Sequence, residues 1–322
     1  MEQRKPLIVL TGPTAVGKTR LSLSLARAVG GEIVSADSMQ VYEYMDIGSA
    51  KVKPEEREGI PHHLIDILKP WEPFNVVLFK RLCEQAFEGI YERGHIPILT
   101  GGTGFYIQSV LYGIDFTETA EDTAYREELT ALANTQGTEA LHTLLKEADP
   151  AAAAAIHPHN VKRVIRALEF HRQTGASIEA HNQEERRKES RYASCYFVLN
   201  DDRDKLYERI DERVEEMLAC GLLEEVKELL AMGCKREMVS MQGLGYKEII
   251  ASLEGEYDPE EAIRRIKRDT RHFAKRQLTW FRREKEVIWV EKPTFAYDEE
   301  AMIAFMCSCF QKRLREEQER KE

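Results

Sequence analysis

No run of apolar residues in this sequence approaches the ~18 needed to cross a membrane. No membrane partner is expected, and the opening stretch from Met1 to Lys5 does not begin a signal peptide. Cysteine is scarce: six residues, at 83, 195, 220, 234, 307 and 309, with no Cys-x-x-Cys pair. Cys307 and Cys309 lie in an apolar run with no histidine nearby. This pattern predicts reduced structural thiols in a cytoplasmic protein, not a metal site. Net positive charge is also lacking: the formal net charge is −10, which alone argues against a nucleic-acid partner. Yet acids are almost missing from one place. Between Arg264 and Arg283 nine lysines and arginines stand against one acid, Asp269. A polyanion site on an otherwise acidic molecule is the expectation.

What is present starts with a phosphate cradle. Leu7–Leu10 reads as a buried strand and Lys18–Val29 as a helix, joined by Gly12-x-x-x-x-Gly17-Lys18-Thr19. In such a loop the glycines let backbone N–H groups turn inward around phosphate oxygens, and the helix N-terminus adds its positive end. Lys18 is placed to reach the terminal phosphate and Thr19 to ligate Mg²⁺. A nucleotide hydrolase needs an acid at the end of a later apolar strand to hold the magnesium shell. Here that strand, within His95–Gly104, ends in Thr100-Gly101-Gly102-Thr103-Gly104, without a carboxylate. The well-placed early acid is Asp37, at the end of the short strand Ile33–Ala36. Carboxyl ends of strands line the ligand crevice in open α/β sheets, so Asp37 is expected to face the cradle. There it is a candidate base or hydrogen-bond acceptor for an incoming nucleophile.

Strands alternate with helices up to about Gly113, including a helix over Phe74–Gly94, which implies a parallel sheet covered on both faces. The rhythm then turns helical, and strand character returns at Tyr192–Asn200 and Glu286–Glu291. The predicted architecture is α/β: a P-loop NTPase-like parallel sheet core over 1–114 and 191–322, with an all-helical insertion over 115–190. The tail from Lys312 reads as a solvated helix end or disorder. Ile263–Trp280 reads as a helix with two stripes. Ile263, Ile266, Thr270, Phe273, Gln277 and Trp280 are expected to be buried. Arg264, Arg268, Arg271, Lys275 and Arg282 are expected to form a cationic ridge of the kind that binds phosphate backbones. His62 and His63 are adjacent, point in different directions, and read as structural or substrate-positioning. Arg209 and Arg213 stand four apart on a helical run rich in Glu; one of them could reach the diphosphate, but solvated Glu–Arg pairing is the favoured reading.

Taken together, these blocks resemble the bacterial tRNA dimethylallyltransferases, also called tRNA isopentenyltransferases. The resemblance spans nearly the whole chain. It is carried in order by GPTAVGKT (12–19), DSMQVYEYMDIGSAK (37–51), PHHLIDIL (61–68), TGGTGFY (100–106), HPHNVKRVIRALE (157–169), GLGYKE (243–248) and AKRQLTWFRR (274–283). One departure is Val16, where the family often has serine. The resemblance implies transfer of a dimethylallyl group from dimethylallyl diphosphate to N6 of the adenine just 3′ of the tRNA anticodon, with diphosphate leaving.

By that resemblance Gly12, Pro13, Thr14, Ala15, Val16 and Gly17, with Lys18 and Thr19, hold the diphosphate. Asp37, Lys18 and Thr19 are the catalytic set, and Thr19 holds Mg²⁺. Asp37, Ser38, Met39 and Gln40 contact the target nucleotide, with Thr103 nearby. In the insertion, Arg126, Lys162, Arg163 and Arg166 touch tRNA, and the insertion clamps the anticodon stem-loop. Gln242, Gly243, Gly245, Tyr246 and Lys247 form another RNA stretch. Lys275, Arg276, Gln277, Thr279, Trp280 and Arg282 form the last. A monomer is expected. Three rival readings remain open at this point. A P-loop small-molecule kinase leaves the cationic helix unexplained. An adenylate isopentenyltransferase acting on free AMP, ADP or ATP needs neither that helix nor the insertion. An RNA-binding regulator with a vestigial loop has no use for an intact Lys18, Thr19 and Asp37.

Overall fold

The computed structural model describes residues 4–114, 123–185 and 187–319. The start of the expected insertion, 115–122, and the last three residues of the tail lie outside these. In chain order the first part runs β1 (Pro6–Thr11), α1 (Lys18–Val29), β2 (Gly31–Ser35), β3 (His62–His63), α2 (Val76–Glu92), β4 (Ile96–Gly101) and α3 (Gly104–Leu111). Five helices follow: α4 (Thr123–Gln136), α5 (Thr138–Ala148), α6 (Pro150–Ala155), α7 (Val161–Thr174) and α8 (Ile178–Glu185). The chain then runs β5 (Ala193–Asn200), α9 (Arg203–Ala219), α10 (Leu222–Ala231), α11 (Tyr246–Leu253), α12 (Pro259–Phe281), β6 (Val287–Glu291) and α13 (Glu299–Glu319).

Two compact units result, one from 1–111 with 191–322 and one from 112–190. The first holds a six-stranded sheet in the order β3-β2-β4-β1-β5-β6, with every pair parallel. β1 is central because Leu7, Ile8, Val9 and Leu10 have no polar side chain to keep wet, and all four are fully buried. Parallel strands demand helices on both faces, and α1 and α13 pack together beside β5 as part of that cover. Leu21, Leu25, Phe197, Met306 and Phe310 fill the core between them. His62 and His63 form the short edge strand, paired with Ile33 and Val34. His63 and His95 both reach the buried Glu32, which Arg93 also grips with two hydrogen bonds. The histidine pair is thus structural. Glu32's carboxyl is held down at about 2, first by Arg93 against the opposing effect of burial, with the two histidines assisting.

The second unit has its own core of Leu129, Leu141, Leu145, Val164 and Leu168. Its described residues form helices and no strand. The five alanines lie in α6, capped by Asp149, whose carboxylate accepts from Ala152 N and Ile178 N. All six cysteines are free. Among the described residues no helix is long and apolar enough to cross a membrane.

Candidate active site

Parallel strands end on one edge of the sheet, so the segments after β1, β2, β4 and β5 converge there. After β1 the chain must turn sharply into α1. Gly12 takes φ 149°, and a Cβ on it would meet Leu199 O at 2.3 Å. Only glycine permits that approach. Gly17 then caps α1 with no side chain bonded to its first turn and no acid within that turn. The positive end of the helix is left open to an anion. Lys18 folds back over the loop and donates to Gly12 O at 3.0 Å and Pro13 O at 2.8 Å. Its pKa is pulled down to about 7, first by burial and then by the charge of Arg213, with Asp37 opposing. Lys292, just past β6, supports the loop from outside by donating to Val16 O at 3.3 Å.

After β2, Asp37 uses Oδ1 to accept from Met39 N at 2.9 Å. It is therefore a turn aspartate and a cavity residue together. After β4, the Thr100–Gly104 turn stands where a hydrolase carries its acid. Gly102 there makes room for Gln277 of α12, whose Nε2 would lie 2.2 Å from an added Cβ. Gln277 is a strut: its Oε1 accepts from Thr14 N at 2.9 Å and its Nε2 donates to Gly102 O at 3.0 Å.

These ends open into a cavity of about 430 Å³. Thr14, Ala15, Asp37, Ser38, Met39 and Thr103 line it, and Gln242, Gly243, Gly245, Lys247, Arg276 and Gln277 face them. Most of the predicted site residues thus come together in the first unit. Lys18 and Thr19 lie at the loop, outside the cavity lining, as do Gly12, Pro13, Val16 and Gly17.

Others are placed differently from the expectation. Gln277 is buried and bonded on both ends of its amide, so its position serves the phosphate loop. Gln40 shares a hydrogen bond with Ser35 Oγ at 2.9 Å and lies near the carbonyls of Ser49 and Ala50. Tyr246 is buried and donates its hydroxyl to Glu225 at 2.7 Å. Glu225 also accepts from the backbone of Asp46, Ile47 and Gly48, which fixes one cavity wall. Trp280 packs against Gly104 and the edge of Phe105. Lys275, Thr279 and Arg282 are exposed on α12. Arg126 Nε donates to the buried Glu169, inside the helical unit. Lys162 and Arg163 are exposed on α7, and Arg166 is half-buried.

The expected cationic ridge on α12 divides in two. Its first half is paired: Arg264 and Arg265 with Glu261, Lys267 with Glu215, Arg268 with Asp269, Arg271 with Asp211. Glu261 and Asp269 belong to α12 itself, and Asp211 and Glu215 come from α9. Towards its end Arg276 lines the cavity, while Lys275 and, just past the helix, Arg282 are exposed.

The reading of Arg209 and Arg213 as solvated is overturned. Arg209 pairs with Asp201, whose side chain is fully buried. Arg213 lines the cavity, and burial lowers its pKa while Asp37 opposes. A signal was available: Leu206, Ile210, Arg213, Val214 and Met217 fall on one helical stripe, so Arg213 sits on α9's inward face.

The fold and the site define a P-loop protein whose phosphate cradle opens on a cavity for an organic substrate. The IPP transferase family signature matches residues 40–284, and the isopentenyl transferase signature matches residues 5–66. The chain belongs to the IPP transferase family. It is 58% identical over 294 residues to a tRNA dimethylallyltransferase of Lachnoclostridium phytofermentans, covering 91% of this chain and 94% of that one. A tRNA dimethylallyltransferase of Geobacillus kaustophilus is 50% identical over 88% of this chain and 89% of its own. Among solved structures, the full-length tRNA isopentenylpyrophosphate transferase of Bacillus halodurans superposes with a TM-score of 0.74. It is 42% identical, over 98% of this chain and all of that one. A eukaryotic dimethylallyltransferase captured acting on tRNA gives 0.76 at 30% identity, over 89% of this chain and 74% of its own.

Proposed function

We propose that this protein transfers a dimethylallyl group from dimethylallyl diphosphate to N6 of the adenine 3′-adjacent to the anticodon in tRNA, releasing diphosphate. The observation that carries the reading is a cavity lined by Asp37 and Arg213 that opens beside the phosphate loop and its Lys18, with no acid in the turn after β4.

The chemistry follows from those groups. An allylic C1–O bond breaks when the charge growing on diphosphate is stabilised. The loop amides, Lys18 and Arg213 supply that stabilisation in a site partly withdrawn from water. The electron pair of the C1–O bond leaves with diphosphate, and the N6 lone pair forms the new bond to C1. The N6 amine is weak because its lone pair is conjugated into the ring. Asp37 orients it and accepts the proton displaced from N6. Products are the N6-prenylated adenosine, diphosphate and one proton. The target base must leave the anticodon loop stack to enter the cavity, as single-stranded bases can.

Among the described residues no group of three or more His, Cys, Asp or Glu side chains is placed to hold a metal. A Mg²⁺ ion fits this donor set by resting on the exposed Thr19 hydroxyl and otherwise on diphosphate oxygens and water, the arrangement it favours. Bound there it would neutralise part of the leaving group's charge. Arg276 at the cavity and the exposed Lys275 and Arg282 suit the phosphates of a tRNA stem-loop. In this reading the exposed Lys162 and Arg163 of the helical unit meet the same RNA. The monomeric, cytoplasmic state expected from the sequence is kept as part of the reading.

The test is mass spectrometry of nucleosides from unmodified tRNA incubated with the purified protein and dimethylallyl diphosphate. A prenylated adenosine at the position after the anticodon is expected. Unmodified RNA, with an excess of AMP prenylated instead, would overturn the reading.

A further inference from the structure

A phosphate loop works by turning backbone N–H groups inward. In a trans peptide the N–H and the preceding C=O lie in one plane and point opposite ways. A carbonyl held outward therefore sets the next N–H inward. Val16 supplies such a carbonyl here: its oxygen accepts from Lys292 Nζ at 3.3 Å. Lys292 lines a separate recess with Leu21, Leu199 and Met302, and is not part of the cavity lining. Its Nζ would lie 3.6 Å from a Cβ on Gly17. The ammonium thus sits against the peptide that joins Val16 to Gly17. That plane turns through ψ of Val16 and φ of Gly17. The Val16 side chain is fully buried in the core and anchors one side. Gly17, at φ 96° and without a Cβ, leaves the other side free to turn.

Lys292 is itself held in place. Its Nζ is 3.7 Å from Asp201 Oδ2, and the Asp201 side chain, just past β5, is fully buried. Asp201 Oδ1 accepts from Asp202 N at 2.8 Å and from the Tyr297 hydroxyl at 3.0 Å. Arg209 pairs with the same carboxylate. Tyr297 N donates back to Lys292 O at 3.0 Å, which closes the turn after β6. Asp201 is therefore satisfied without Lys292. What the lysine adds to this cluster is its bond to the phosphate loop.

We propose that Lys292 is a positioning residue, which locks the Val16–Gly17 peptide plane so that the Gly17 N–H points into the cradle and meets the charge growing on diphosphate. This rests on the loop holding a diphosphate leaving group, as proposed above. A donor aimed in advance stabilises that charge without reorganising during the reaction. Without the lysine the plane is free to turn its carbonyl oxygen toward the diphosphate, where two negative groups would meet.

The test uses the full-length protein as wild type, Lys292→Met and Lys292→Arg. Asp201 keeps Arg209 and Tyr297 in both variants, so the fold is retained. Isotope labelling of valine carbonyl carbons together with glycine nitrogens selects two amides by NMR, Gly17 and Gly30, because Val-Gly occurs only there. Gly30, at the far end of α1, is the internal reference. Inorganic diphosphate should move the wild-type Gly17 proton downfield and leave Gly30 in place. In Lys292→Met that shift should be lost. By calorimetry diphosphate should then bind ~10-fold or more weakly, short of the ~10²–10³-fold in turnover that removing one oxyanion donor costs. Turnover in tRNA prenylation should fall with it, at unchanged tRNA affinity. Lys292→Arg keeps a charged donor and should recover the shift and most of the affinity. A wild-type Gly17 proton that ignores diphosphate would overturn the inference, as would a Lys292→Met protein that keeps the shift and the affinity. Failure of the wild type to prenylate tRNA would instead sink the functional reading, and the diphosphate arm would still decide the lock.

Discussion

Asp37 does two jobs with one carboxylate: Oδ1 closes the turn to Met39, and the side chain faces the cavity. Replacing it with alanine removes proton acceptance without touching the cationic rim. Turnover should fall by ~10² or more, with tRNA affinity little changed; near-normal turnover would remove Asp37 from its role. Lys18 makes a pH prediction. Its pKa is about 7 in the free protein, and an adjacent diphosphate would raise it. Above pH 7 a growing fraction of free Lys18 is neutral, so donor binding must take up a proton, and affinity should decline as pH rises through 7. Calorimetry at pH 8 in buffers of different ionisation heat should show proton uptake, lost in Lys18→Met. Equal heats in all buffers would mean that Lys18 stays clear of the donor. Asp37 and Lys18 were both legible in the sequence because each is fixed by a local turn. For Arg213 a reach toward the diphosphate was the less favoured reading because its pairing was judged from its neighbours in sequence, while its environment is set by the helix face it occupies.

At the scale of elements, the sheet and the P-loop were readable from apolar runs and glycine spacing. The two-residue β3 was not, since a strand that short has no periodicity. α12 was placed correctly as a helix, yet its basic stripe divides by function. The cations of the first half pair with α9 and with α12's own Glu261 and Asp269, and of the basic residues only Arg276 lines the cavity. Replacing Lys275 and Arg276 with alanine should weaken tRNA binding and reduce the steepness of its salt dependence by ~0.7 per lost phosphate contact. The same double substitution at Arg264 and Arg268, which pair with Glu261 and Asp269, should leave the slope unaltered. Fluorescence titration across salt concentrations separates the cases, and equal slopes for both double variants would contradict the division. Gln277 shows why motif membership did not reveal role: a residue in a stretch matched to RNA contact is bonded instead to the phosphate loop.

The whole molecule carries a net charge of −10 and still presents Arg213, Lys247 and Arg276 to its cavity. The composition alone pointed away from RNA; the local excess of arginine pointed back. Its two units have separate cores, so damage to one should be confined. Leu141 is fully buried in the helical unit, and Leu141→Ala should cost ~2–5 kcal/mol there. Hydrogen exchange should show lost protection in 123–185 with the sheet unaffected, and donor binding should persist. Loss of protection across β1 and β4 would show that the units are not independent. The claim on which the account turns is that the loop grips a leaving group, so that a carbon–oxygen bond breaks and phosphorus is untouched. Dimethylallyl diphosphate carrying a heavy oxygen isotope in the bridge between C1 and phosphorus tests this most directly. The account predicts that all the heavy oxygen leaves with diphosphate while the prenyl carbon appears on tRNA. Heavy oxygen retained on the prenyl carbon, or phosphorus found on the acceptor, would contradict it.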